Sequence, residues 1–280
     1  MTIDNVDFTA VISDLKIFPI STLFMLYFRY VFLWREDMAE KSLLSVLVYS
    51  PAWPVSQALV NLCLPEEAGW CFTELPDVVA VRYSDDILPK INEMKPDVLV
   101  MDISLRVNCG LLSIIRHYYP ALPIVAVRSH FLFSDRVVAE YFGHIWLREY
   151  GALLAGYPAV LLQEHLSHPG LAGTACGGSS GYHLVTRNLE DTEIVRREVT
   201  FLLRLRLYDL MKSPRLCEVV MDWLAGGVAP AVVGESLSRS SKVIYHYRWR
   251  VMRALNMNRG IRDFIPSVTV KLKQDEKGWW

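Results

Sequence analysis

The stretch "KPDVLVMDISL", residues 95–105, decides the fold. Pro96 leads into an unbroken apolar run, Val98 to Met101, which ends on a single carboxylate, Asp102. A strand with one face in water alternates apolar and polar residues, whereas an unbroken run marks a strand buried on both faces, as in the middle of a parallel sheet. Asp102 is then the first residue beyond the strand's carboxyl end, the edge at which open α/β sheets hold their ligands.

Similar runs recur on both sides. "LLSVLVYS" (43–50), "DVVAVRYS" (77–84), "PIVAVRS" (123–129) and "HIWLRE" (144–149) read, with 97–104, as five strands. Helical stretches alternate with them: "VSQALVNLCL" (55–64), "DDILPKINEM" (85–94), "GLLSIIRHYY" (110–119), "SDRVVAEYFG" (134–143) and "YGALLAGYPAVLLQEHLS" (150–167). Ser134 and Asp135 start the fourth of these and Gly143 stops it. This alternation predicts an α/β doubly wound, five-stranded parallel sheet over residues 43–167.

Residues 168–189 are rich in glycine and serine and read as a linker; 190–211 form a connecting helix, 212–268 an all-helical domain and 269–280 a tail. "GGSSG" (177–181) matches the G-x-S-x-G nucleophile pattern at Ser179, but that elbow needs a strand before it and a helix after it, and its flanks here are linker. The histidines include no HExxH. His165 and His168, three apart, are read as helix-end residues rather than metal ligands. No metal, cofactor or catalytic role is therefore expected. The five cysteines, Cys63, Cys71, Cys109, Cys176 and Cys217, are odd in number and lack a CxxC, which predicts reduced, packed thiols in a cytoplasmic protein.

Residues 1–42 form a hydrophobic N-terminal extension. Its apolar part, residues 17–34, approaches the length of a spanning helix but is interrupted by Pro19 and Arg29 and preceded by acids. Two readings stand: a weak membrane anchor, or a native start at Met38.

The strongest signal lies in residues 213–257. Ser213 followed by Pro214 is a helix start, Val219, Val220, Trp223 and Leu224 form an apolar face, and Gly226 with Gly227 ends the helix. "PAVVGESL" is a short second helix and "SRSS" a turn whose serines can cap a third. That third helix runs from about Lys242 to Leu255, with Ile244, Val251 and Leu255 inward and Lys242, Arg248, Arg250 and Arg253 toward solvent. Residues 213–265 carry eight Lys or Arg against four acids, a local +4 on a chain whose formal charge is −1. A short helix, a tight turn and a longer basic helix is the plan of a helix-turn-helix whose third element lies in a major groove. Laid there, Lys242, Tyr245, His246 and Arg250 would approach base edges of double-stranded DNA, and Ser240, Arg248 and Arg253 phosphates. Tyr245, Tyr247 and Trp249 interleave with Arg248 and Arg250, a pattern that would suit stacking on exposed bases, but on a short helix such aromatics more often pack against neighbours.

This segment resembles the LuxR/FixJ-type helix-turn-helix of bacterial transcription factors. Ala225 and Gly227 stand for its Ala-x-Gly, Ser240 for its serine, Val243 and Ile244 for its Thr-Val, Tyr247 for its histidine and Leu255 for its closing leucine. The match spans about 50 residues and needs one extra residue near Val228. The family's usual partner domain is a receiver, which residues 43–167 resemble, with Asp102 at the place of the phosphoacceptor. The resemblance also implies an acidic pair for Mg²⁺ after the first strand, a hydroxyl after the fourth and a lysine after the fifth. This chain offers Tyr49-Ser50-Pro51, Arg128 or Ser129, and Arg148 at those places. The expectation is a degenerate receiver used for homodimer or heterodimer contact, akin to the atypical response regulators of capsule synthesis, with Asp102 paired to Arg128 or Arg148. The competing expectations are a conventional regulator phosphorylated at Asp102, and an interaction protein without DNA contact anchored by residues 17–34.

Overall fold

The structure is a computed structural model that describes residues 45–64, 77–156, 189, 191–257 and 260–271. The chain divides into two compact units, Met1–Leu43 and Leu44–Trp280, and the first lies outside the described residues, as do residues 17–34, Met38, Cys71, His165, His168, Cys176 and Ser179. No helix among the described residues is long and apolar enough to cross a membrane.

The second unit opens with β1 (Val46–Tyr49), α1 (Trp53–Cys63), β2 (Val78–Val81) and α2 (Ile87–Met94). It continues with β3 (Val98–Met101), α3 (Cys109–Tyr118), β4 (Ile124–Arg128), α4 (Phe133–Phe142), β5 (Ile145–Glu149) and α5 (Tyr150–Gly156). The strands form one parallel sheet in the order β2-β1-β3-β4-β5, with Val46 to Tyr49 of β1 level with Val98 to Met101 of β3. Every side chain of β1 and β3 is buried. Leu47, Tyr49, Leu99 and Met101 meet residues of α2, α3 and α4 on one face, and Val46, Val48, Val98 and Val100 meet α1 and Leu153 of α5 on the other. The unbroken apolar runs arise because both faces need apolar cover, each such side chain contributing about 1.5–3 kcal/mol.

Helix ends follow local chemistry. Asp135 sits in the first turn of α4, buried, and accepts hydrogen bonds from Leu132 N at 3.1 Å, Ser104 Oγ at 3.1 Å and Arg106 N at 3.0 Å. Gly143 closes the same helix at φ 64°, a conformation that favours glycine. The buried Arg116 donates to the carbonyls of Tyr119, Leu122, Gly143 and His144, binding the loop after α3 to the loop before β5.

A 20-residue helix, α6 (Thr192–Met211), is capped by Asp191, whose side chain accepts from Glu193 N and Ile194 N. Its Val195, Val199, Leu202 and Leu203 enter the sheet domain's core, while Leu207 enters the core of the helical domain, so one helix serves both. Beyond it lie α7 (Pro214–Glu218), which continues into a π-helical stretch over Val219–Leu224, then α8 (Pro230–Ser236), α9 (Ser241–Ala254) and α10 (Phe264–Val268). A π turn takes up one residue more than an α turn, and Ala225 N reaching back to Val220 O at 2.7 Å marks it.

Thr269–Lys271, read from the sequence as the start of a tail, lie against the sheet domain. Val270 belongs to its core, and Lys271 N donates to Arg106 O at 2.9 Å. Ser134 Oγ donates to Pro266 O at 2.7 Å, and Arg206 of α6 makes a two-pronged pair with Glu140 of α4. Cys63, Cys109 and Cys217 are free and buried, and burial pushes the Cys63 thiol up to about 12.

Candidate nucleic-acid interface and the Asp102 pocket

The C-terminal candidate site is built on α8, the turn after it and α9. Ser213 Oγ accepts from Leu216 N at 3.4 Å, the cap that the Ser-Pro pair foretells. Val219, Val220, Leu224, Val233, Ile244 and Val251 make the core on which α9 rests. The turn is closed by Arg239 N donating to Gly234 O at 2.8 Å, with Ser238 left-handed at φ 51°. Gly234 is needed there: a Cβ at this position would lie 2.8 Å from the carbonyl oxygen of Arg239 and 3.2 Å from Ser241 N. Gly234→Ala is accordingly expected to lower the stability of the helical domain by about 1–3 kcal/mol, because rigid backbone and not a flexible side-chain tip must move. Thermal unfolding followed at Trp223 and Trp249 measures this; an unchanged midpoint would show that the turn yields freely.

The outward face of α9 presents Lys242, Tyr245, His246, Trp249, Arg250 and Arg253, all exposed and spaced at helical intervals, while Ile244 and Val251 point into the core. Ser240 holds the N-cap position and is exposed, yet its hydroxyl makes no capping bond, so the expected serine cap is not formed by this residue. Arg248, expected toward solvent, is half-buried with its guanidinium 5.0 Å from the centre of the Tyr245 ring. The expectation that the aromatics pack inward holds only for Tyr247. Tyr245 and Trp249 remain 50% and 53% exposed, since the helix turns them to the face opposite Ile244 and Val251. Trp249 stands on the same exposed face, one turn beyond Tyr245 and His246.

The second candidate lies at the carboxyl edge of the sheet. Asp102 accepts one hydrogen bond from Ser50 Oγ at 2.8 Å and another, on its other oxygen, from the Tyr150 hydroxyl. These hydroxyls, not Arg128 or Arg148, are its hydrogen-bond partners, a correction to the expected ion pair. Sequence reasoning missed both, because Ser50 stands 52 residues away and Tyr150 48. Burial, with the Asp102 hydrogen bond and charge behind it, pushes the Tyr150 phenol up. Burial, Asp85 and Asp102 do the same to Tyr49. Arg148 lies buried on β5, and burial lowers its pKa. The Mg²⁺ implied by the receiver resemblance does not fit these residues. At the place of its acidic pair stand a buried phenol, a hydroxyl already committed to Asp102 and a proline, and no cluster of three or more His, Cys, Asp or Glu among the described residues could hold a metal.

No family model matches the chain, and no curated protein matches it. Solved structures do resemble it. One, of two RcsB dimers bound to two parallel DNAs, aligns over 81% of this chain and 100% of its own at 17% identity with a TM-score of 0.51. RcsB from Salmonella enterica serovar Typhimurium bound to promoter rprA in the presence of the phosphomimetic BeF3- covers the same shares at 18% identity and a TM-score of 0.49. The chemotaxis protein CheY4 of Vibrio cholerae covers 43% of this chain and 100% of its own at 16% identity and a TM-score of 0.34. The described residues therefore have a receiver-like five-stranded parallel sheet followed by an all-helical C-terminal region, a two-domain arrangement similar to that of RcsB.

Proposed function

We propose that this chain is a DNA-binding transcriptional regulator that seats α9 in a major groove, and whose receiver-like domain works without phosphorylation of Asp102. The exposed basic face of α9, held on a helix-turn-helix core, carries the reading. Lys242, Tyr245, His246 and Arg250 face base edges, and Ser240, Arg248 and Arg253 the phosphates. The domain limits 43–167 and 212–268 belong to the same proposal, as do action without catalysis or cofactor and a place in the cytoplasm. RcsB is seen as dimers on DNA. A dimer of this chain, with itself or with another regulator, would likewise match two half-sites one helical turn apart.

Independence from phosphorylation is supported by the pocket. Both oxygens of Asp102 accept hydroxyl bonds, and among the described residues no group of three or more His, Cys, Asp or Glu could hold a metal to screen an incoming phosphoryl group. Genome-wide crosslinking of the tagged native chain and of Asp102→Ala is expected to find the same discrete sites, with no acetyl-phosphate label on Asp102. Sites lost in the variant, together with a label at Asp102, would establish the conventional phosphorylated regulator. No sites in either chain would overturn DNA binding itself.

A further inference from the structure

Trp249 is a large apolar ring left half in water in the middle of a basic helix face, where a solvated role alone would favour another charge. Its surroundings hold the ring in place. His246, one turn before, stacks on it with centroids 6.0 Å apart and planes within 24°, and the Arg253 guanidinium, one turn after, sits 5.5 Å from its centre. With a neighbour one turn away on either side, less of the indole face is free for a base to stack on, as single-strand binders use it. The ring is 53% exposed and lines a groove of about 540 Å³ with His246, Arg250, Arg253 and Ala254. The apolar feature that the major groove offers to such a ring is the 5-methyl group of thymine.

We propose that Trp249 is a specificity-determining residue that reads a thymine 5-methyl group by apolar contact, held in position by His246 and Arg253. This rests on the DNA-binding reading above and names what one position of that interface recognises. Pre-ordering of the ring by its two neighbours spares the entropy of fixing a free side chain on binding.

Deoxyuridine lacks only that methyl, so it isolates the contact. With a duplex site selected from a random library, each thymine is replaced in turn by deoxyuridine and affinity is measured by fluorescence anisotropy. The native chain is expected to lose about fourfold at one position, the scale of one apolar carbon group. Trp249→Ala should bind thymine and deoxyuridine alike at that position, and Trp249→Phe should keep part of the preference. Lys242→Ala should weaken binding to both duplexes while preserving their ratio. A native chain indifferent to every replacement, or a Trp249→Ala chain that keeps the fourfold ratio, would overturn the assignment while leaving DNA binding standing. A native chain that selects no duplex at all would overturn the DNA reading beneath it.

Discussion

A chain carrying both Lys242→Ala and Arg250→Ala is expected to lose specific DNA affinity by at least about 30-fold while keeping its folded structure. Both residues are exposed on the outward face of α9, two turns apart, and neither belongs to the core formed by Ile244, Val251 and their neighbours. A base contact is worth about 1–3 kcal/mol, and two on one helix sum to about 2–6 kcal/mol when they act separately. Arg253→Ala, which removes a phosphate contact instead, should flatten the salt dependence of binding by about one unit of slope. The measurement is a salt series on a selected duplex and on an unrelated one. Retention of affinity for the selected duplex with the helix intact would place the interface elsewhere.

The second large effect concerns stability. Arg116 is 4% exposed, and burial lowers its pKa to about 10, so it remains charged at pH 7. Its Nη1 donates to Tyr119 O at 3.3 Å and Leu122 O at 2.6 Å, and its Nη2 to Gly143 O at 2.9 Å and His144 O at 3.0 Å. Arg116→Met keeps much of the volume but leaves four loop carbonyls short of a donor, each at about 1 kcal/mol or more. The expected loss is about 4 kcal/mol, a large share of the 5–15 kcal/mol by which domains are usually stable. Urea unfolding should show a lower midpoint at an unchanged slope. Arg116→Lys should rescue little, because an ammonium is a compact donor and cannot span four carbonyls on two loops. A loss below about 1 kcal/mol would mean that water replaces the guanidinium.

By itself, the sequence determined the order and kind of the described strands and helices from β1 to α9, the π turn at Val219–Leu224 excepted, because the signals are local. A strand buried on both faces must be apolar throughout, as "VLVM" at 98–101 is, and capping is written within a few residues, as at Ser213-Pro214 and Gly143. It also placed a basic helix in the C-terminal domain, since net charge and helical spacing need no partner to be read. What only the tertiary structure decided are the meetings of distant residues: Ser50 and Tyr150 on Asp102, Arg116 on two loops, Val270 in the core of the sheet domain. Periodicity also sorts the aromatics of α9, since Tyr247 lies three residues after Ile244 and four before Val251 and turns inward, while Trp249 falls on the far side. The meetings of distant residues lie beyond it, because contacts over long separations fix the surroundings of a side chain and no local pattern encodes them.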